Sequence, residues 1–160
     1  MSIKVGDKIP SVSLKYMDKD GMQTVKTDDL FKGKKVVLFA VPGAFTPTCS
    51  MKHLPGFVEQ AAAIRQKGVD EVVCLSVNDA FVMGAWGEQQ KAKGKVRMVA
   101  DGNGELTGAL GLGVDASGFG MGQRSRRYAM IVDDGKVTEL LVEPGGGLNV
   151  SSAESVLSKL

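Results

Sequence analysis

The chain has 160 residues, 43% of them apolar, and a formal net charge of +2. This length fits one domain of ordinary size with a full hydrophobic core, so a single domain over residues 1–160 is expected. So small a charge gives no electrostatic footprint for nucleic acid, and no apolar run approaches the roughly 20 residues of a membrane helix. The N-terminal segment has no apolar stretch resembling a signal peptide, and two cysteines cannot build a disulfide framework. A cytoplasmic protein with free thiols and no membrane partner is therefore expected.

Taken in order, Lys4 to Leu14 reads as extended N-terminal structure, with Val5, Ile9, Val12 and Leu14 interrupted by Gly6 and Pro10. Asp18-Lys19-Asp20-Gly21 is a turn signal and predicts a hairpin around it. Thr27 to Phe31 begins a short helix that Gly33 ends. Val36 to Val41 is short, β-branched and bounded by Lys35 and Pro42, which predicts a buried strand. Gly43 then permits a turn. Thr46-Pro47 is a helix-start signal, because Thr is a good N-cap and Pro suits the first helical position. The helix that follows carries Met51, Leu54, Val58, Ala61, Ala62 and Ile64 near helical spacing, with a kink expected at Pro55-Gly56 and a stop at Lys67-Gly68.

Glu71 to Val77 predicts a second buried strand, and Asn78-Asp79 a cap for a helix from Ala80 to about Lys91. Val96 to Ala100 is a third strand. Asp101 to Gly104 turns into a short helix through Leu110, followed by a Gly-rich loop from Gly111 to Gly122 without a clear period. Arg127 to Val132, the turn Asp133-Asp134-Gly135, and Lys136 to Val142 form a strong hairpin signal. Pro144 to Gly147 breaks it, and Ser151 to Glu154 opens a last helix. Alternating strands and helices followed by a hairpin predict an α/β fold: a mixed central sheet with helices on both faces.

The chemistry concentrates at Cys49. On the Thr46-Pro47 register it is the third helical residue, beside unpaired backbone N–H groups and the positive end of the helix dipole, and both favour thiolate over thiol. The ordinary reading of a cysteine is a small buried hydrophobe; that reading suits Cys74, inside an apolar strand run, better than Cys49. Thr46 has two competing uses for one hydroxyl. As an N-cap it accepts a hydrogen bond from the N–H near Cys49; as a catalytic group it donates to the thiolate or to a bound oxygen. His53, the only histidine, lies one helical turn beyond Cys49, where a Cys–His dyad is conceivable but a structural or supporting role is favoured. Arg124, Arg126 and Arg127 form the densest basic cluster, for which a solvated patch is the ordinary account. If Arg126 opens the strand, Arg126, Tyr128 and Met130 share one face and Arg127, Ala129 and Ile131 the other. One arginine can then point toward the Cys49 helix while its neighbour faces away. The letters Gly111 to Ala116 fit a dinucleotide fingerprint but follow a helix-like segment, so its physical context is missing. Asn149-Val150-Ser151 is a chance glycosylation match.

These residues carry a resemblance. Pro42-x-x-x-Thr46-x-x-Cys49 resembles the active-site motif of the peroxiredoxins, and Pro42-Gly43-Ala44-Phe45-Thr46-Pro47-Thr48-Cys49 is similar to the peroxiredoxin-5, or plant type II, branch. The likeness extends through Lys52 to Phe57, Cys74 to Val82 and Arg124 to Tyr128. It implies a thioredoxin fold with extra N-terminal structure, and reduction of hydrogen peroxide and alkyl hydroperoxides without a bound cofactor or metal. Cys49 matches the peroxidatic cysteine, Thr46 and Pro42 its active-site neighbours, and Arg127 the catalytic arginine. Glutathione, glutaredoxin or thioredoxin as external reductant, and a homodimer, are further implications. One departure matters. Members that form an internal disulfide carry a second cysteine near Gly147 to Ser151, where this chain has Val150. One-cysteine behaviour is thus expected. A thiol–disulfide oxidoreductase would want a second cysteine near Cys49 and finds none. A redox-sensing thiol protein, oxidised once without turnover, is the alternative of a different class.

Overall fold

Residues 2–160 are described by a computed structural model of the chain. Nine strands and five α-helices follow one another as β1 (Ser13–Asp18), β2 (Gly21–Lys26), α1 (Thr27–Phe31), β3 (Lys35–Val41), α2 (Leu54–Gln66), β4 (Glu71–Ser76), α3 (Ala80–Gln89), β5 (Arg97–Ala100), α4 (Glu105–Leu110), β6 (Gly113–Asp115), β7 (Gln123–Ser125), β8 (Tyr128–Asp133), β9 (Lys136–Val142) and α5 (Ala153–Leu157). Seven strands form one sheet in the order β2-β1-β5-β4-β3-β8-β9. The β3–β4 and β4–β5 pairs are parallel, whereas β8 runs antiparallel to both β3 and β9. This is the mixed sheet predicted. The N-terminal hairpin extends it: β1 pairs antiparallel with β2 and meets β5 at Lys15↔Ala100.

Because β3, β4 and β8 are buried on both faces, their sequences run apolar without alternation. Two cores result. On one face Phe39, Val41, Cys74, Ala129 and Ile131 pack with Leu54, Phe57 and Ile64 of α2, Met83 and Trp86 of α3, and Val156 of α5. On the other, Leu38, Leu75, Tyr128 and Met130 pack with Leu30 and Phe31 of α1 and Leu106 and Leu110 of α4. Several expected signals act as read. The Asp79 carboxylate accepts the Val82 N–H at the start of α3, and Ser152 accepts the Ser155 N–H at the start of α5. Gly33 and Gly68 take positive φ just past α1 and α2.

Four readings need correction. Met51 does not face the core; it is 74% exposed, and Phe57 takes the buried position instead. Met51 lies in a segment that is not regular α-helix, as described below, and so falls out of line with Leu54, Ala61 and Ile64. The Gly-rich segment after α4 is not a plain loop, since β6 and β7 pair antiparallel around a short 3-10 turn at Ser117–Phe119. Strands of three residues are too short for alternation to show. The second buried strand ends at Ser76 rather than Val77, and α3 stops at Gln89, short of Lys91, which takes a left-handed φ of 56°.

Candidate active site

At the carboxyl end of β3 the chain leaves the sheet at Pro42 and enters a helix at Pro47. The intervening turn is tied down on both sides. Asn78, following β4, accepts the Ala44 N–H at 3.0 Å through Oδ1, and the same oxygen accepts the Ser76 hydroxyl at 2.6 Å. Gly43 is required here for space and not for backbone freedom. A Cβ on it would stand 2.9 Å from Met121 Cε, 3.1 Å from Thr46 Cγ2 and 3.3 Å from Arg124 Nη1. The left-handed residue of the turn is Phe45, with φ of 64°; a non-glycine residue there costs about 1–2 kcal/mol.

Thr46 sits at the N-cap position, Pro47 and Thr48 are the first two helical residues, and Cys49 is the third, as the sequence implied. The first intrahelical bond runs from Ser50 N–H to Thr46 C=O at 2.9 Å, so the N–H groups of Thr48 and Cys49 precede the helical ladder. The Thr46 hydroxyl follows neither of its expected uses. It donates to the Gly43 carbonyl at 2.6 Å, closing the turn. Its hydrogen is thereby engaged. Pro42 is half-buried at the exit from β3 and brings no N–H.

Cys49 to His53 form a π-turn, closed by Leu54 N–H to Cys49 C=O, before the chain settles into α2. The irregularity expected at Pro55-Gly56 therefore lies one turn earlier. Pro55 has no N–H for the carbonyl four residues back, and its ring presses on that carbonyl, so the preceding turn widens. Helix α3 braces this turn: Trp86 Nε1–H donates to Ser50 Oγ at 3.0 Å, and Gln90 Nε2–H to Ser50 C=O at 3.2 Å.

Arg127 comes to the same place from the far strand. It immediately precedes β8, where Ala129 pairs with Phe39 of β3. Tyr128 and Met130 enter one core and Ala129 and Ile131 the other, so parity sends Arg127 to the Cys49 side. Its side chain is buried, and Nη2 donates to Cys49 Sγ at 3.2 Å. In this dry setting a hydrogen bond from a cation holds a thiolate more strongly than a thiol. Arg126 faces elsewhere, donating from Nη2 to the Glu143 carbonyl at 3.2 Å, and Arg124 Nε donates to Met121 C=O at 2.9 Å.

Of the remaining groups of the site, His53 was singled out in the sequence for a structural or supporting role, and Glu143 was not singled out. His53 is buried between Phe39 and Phe57, with ring centroids 5.0 and 5.6 Å away. Its Nδ1 lies 2.9 Å from Arg127 Nη1 and its Nε2 lies 2.9 Å from the Ser151 carbonyl. Both ring nitrogens are thus engaged away from Cys49, and the favoured supporting placement is observed in place of a Cys–His dyad. Burial, and then the Arg127 charge, depress its pKa to about 3, so the ring is neutral. Glu143, opposite Arg127 beyond β9, accepts the Ser151 N–H at 2.8 Å, the Ser151 hydroxyl at 2.7 Å and the Asn149 N–H at 2.8 Å through Oε2. Burial pushes its pKa upward, but these hydrogen bonds outweigh that and hold it below the usual carboxylate value.

Cys74 is also fully buried, in the middle of β4 between Phe39 and Met98. Burial pushes its thiol well up, Cys49 adds to the effect, and Arg127 opposes it. It is an unreactive neutral thiol, as its apolar strand context implied. Among the described residues no group of three His, Cys, Asp or Glu side chains could hold a metal ion, and no helix is long and apolar enough to cross a membrane.

Comparison with known proteins gives a consistent result. Residues 4–157 match the Redoxin family. The chain is 53% identical over 159 residues to peroxiredoxin-2B of Arabidopsis thaliana, covering 99% of this chain and 98% of that protein. Among solved structures it is similar to reduced Prx3 of Vibrio vulnificus in complex with hydrogen peroxide, at 52% identity and a TM-score of 0.95 over 98% of each chain. It is also similar to a Plasmodium falciparum antioxidant protein described as a 1-Cys peroxiredoxin, at 31% identity and a TM-score of 0.90 over 96% of each chain.

Proposed function

The chain belongs to the redoxin family and is a peroxiredoxin, a thiol-dependent peroxidase of thioredoxin fold, and from that premise we propose that Cys49 is its peroxidatic cysteine. The observation that carries the assignment is the buried Arg127 guanidinium donating to Cys49 Sγ at 3.2 Å. Thiolate Cys49 attacks the terminal oxygen of hydrogen peroxide or an alkyl hydroperoxide. A sulfur–oxygen bond forms as the oxygen–oxygen bond breaks. Sulfur is oxidised to sulfenic acid, and the leaving oxygen takes a proton from solvent water to become water or an alcohol. Arg127 stabilises first the thiolate and then the charge growing on the leaving oxygen; its Nε–H, without a partner in the resting site, is a further donor for a peroxide oxygen. Because the Thr46 hydrogen is held by Gly43, Thr46 accepts a hydrogen bond from the peroxide O–H and so aligns it. Pro42 supplies an apolar wall that offers no competing donor.

Recycling follows a one-cysteine route. Cys74 is mid-strand, unreactive and fully buried, and Val150 stands where an internal partner would be expected. An external thiol therefore attacks the sulfenic acid, releasing water and leaving a mixed disulfide, which a second thiol reduces to regenerate Cys49. Glutathione, with glutaredoxin, is the favoured reductant, and thioredoxin the other candidate. Cys49 has no accessible surface in this conformation. The turn from Pro42 to Thr46 must move for a peroxide to enter, and the first helical turn must open for a thiol of tripeptide size. The left-handed Phe45 and the π-turn at Cys49–His53 are the irregular backbone through which this segment would open. A homodimer completes the proposal, supported by the apolar area exposed at Phe45, Phe81 and Phe119, with the cytoplasm as its proposed location. Cys49→Ser is expected to abolish peroxide consumption with glutathione present while its thermal unfolding stays cooperative. Turnover in that variant would sink the assignment, and a single turnover in the wild type would favour an oxidant sensor over an enzyme.

A further inference from the structure

An arginine that serves a thiolate must be held in place without losing its charge to the group that holds it. Arginine has about 2 kcal/mol of rotamer entropy to restrain. A carboxylate would restrain it well, but would also neutralise it and compete with sulfur for its N–H groups. Neither of the two ion pairs among the described residues involves Arg127; they join Lys34 and Arg97 to Glu71. Its guanidinium has two hydrogen-bonding partners, Cys49 Sγ through Nη2 and His53 Nδ1 through Nη1.

The partners of His53 fix its tautomer. A carbonyl oxygen only accepts, so Nε2 facing Ser151 carries the hydrogen. A guanidinium only donates, so Nδ1 facing Arg127 presents its lone pair. The one nearby anion, Glu143, stands a step further back, with Oε2 engaged by Asn149 and Ser151. The titratable groups acting on the imidazole are Arg127 from the β8 side and Glu143 beyond β9.

We propose that His53 is the positioning residue of the peroxidase site: a neutral imidazole, anchored by the Glu143-held loop at Ser151, aims the Arg127 guanidinium at Cys49 while leaving its positive charge to the sulfur and the peroxide. His53 touches no reacting atom and acts through Arg127. This inference rests on the reading of Cys49 and Arg127 given above.

The two amide side chains separate its two nitrogens. Asparagine places an acceptor near the Nδ1 position and can still receive Arg127. Glutamine reaches the Nε2 position, keeping the Ser151 bond, but offers nothing at Nδ1. The measurement is the single-turnover rate constant for hydrogen peroxide between pH 5 and 9, followed by the fluorescence of Trp86, the only tryptophan, which is bonded to the π-turn at Ser50. His53→Gln is expected to lose at least about tenfold and to shift its rate profile to higher pH, with His53→Asn within about threefold of wild type. The double variant His53→Gln/Arg127→Gln is expected to be no slower than Arg127→Gln alone, since both changes act on one interaction. His53→Gln equal to or faster than His53→Asn, or an unmoved pH profile, or additive losses in the double variant, would each overturn the proposal. Failure of the peroxidase reading itself looks different: Arg127→Gln alone would then react at the wild-type rate.

Discussion

Replacing Arg127 by glutamine tests the centre of the site. The change keeps much of the side-chain volume and removes the cation that donates to Cys49 Sγ at 3.2 Å. Two unit charges about 4 Å apart attract by about 4 kcal/mol at an effective dielectric near 20, which sets an upper bound. A single hydrogen bond to a charged group contributes about 1.5–3 kcal/mol, which sets the lower range. Each 1.36 kcal/mol is tenfold in rate. The expected loss in the second-order rate constant for peroxide at neutral pH is therefore about 10- to 1,000-fold, centred near 100-fold. Arg126→Gln is the control, because that guanidinium bonds the Glu143 carbonyl and faces away from Cys49; it is expected within about threefold of wild type. Both rates come from stopped-flow mixing with hydrogen peroxide at matched pH. The electrostatic reasoning fails if Arg127→Gln reacts within threefold of wild type, or if the two variants lose equally.

Cys74→Ser is expected to keep glutathione- or glutaredoxin-supported turnover but to lose stability, because a hydroxyl in an apolar strand costs about 1–3 kcal/mol, or roughly 2–12 °C in Tm for a domain of this size; a Cys49–Cys74 disulfide in peptide mapping after peroxide would refute this. Gly43→Ala pushes a methyl against Met121, whose end can swing away, and against Thr46, which cannot move without breaking its bond to the Gly43 carbonyl. Its peroxide rate should fall about tenfold with little change in Tm, and an unchanged rate would show that Thr46 needs no such alignment. The buried neutral His53 also predicts acid sensitivity. Its pKa is lowered from 6.5 to about 3 on folding, so the unfolded chain binds the extra proton first and stability falls as pH drops from about 6.5 toward 3, by up to about 1.4 kcal/mol per unit. Glu143 adds to the loss only lower, below the ordinary carboxylate range, as its folded-state pKa is depressed. Thermal melts between pH 6.5 and 4.5 should show this decline in wild type and a flatter one in His53→Asn; parallel curves would contradict it.

Much of the molecule was legible where its causes are local. The apolar runs of β3 and β4, the Asp133-Asp134-Gly135 turn between β8 and β9, and the caps at Asp79 and Ser152 each depend on neighbours within a few residues. So does the position of Cys49 as third residue of its helix, set by Thr46 and Pro47 alone. Strand parity separated Arg127 from Arg126, because a period of two survives any packing. Tertiary structure decided the rest. Only the antiparallel placement of β8 beside β3 carries Arg127 onto Cys49, 78 residues earlier in the chain. His53 meets Ser151 across 98 residues, and no spacing in the sequence encodes that contact. The Thr46 hydroxyl had two local uses open to it, and the closing of the Gly43 turn selected a third. The π-turn left Met51, which lies within it, out of the register that Leu54, Phe57, Ala61 and Ile64 keep in the core. Local propensity therefore specified the elements and the helical position of Cys49, while long-range pairing specified the electrostatic environment, which depends on groups that only the fold brings together.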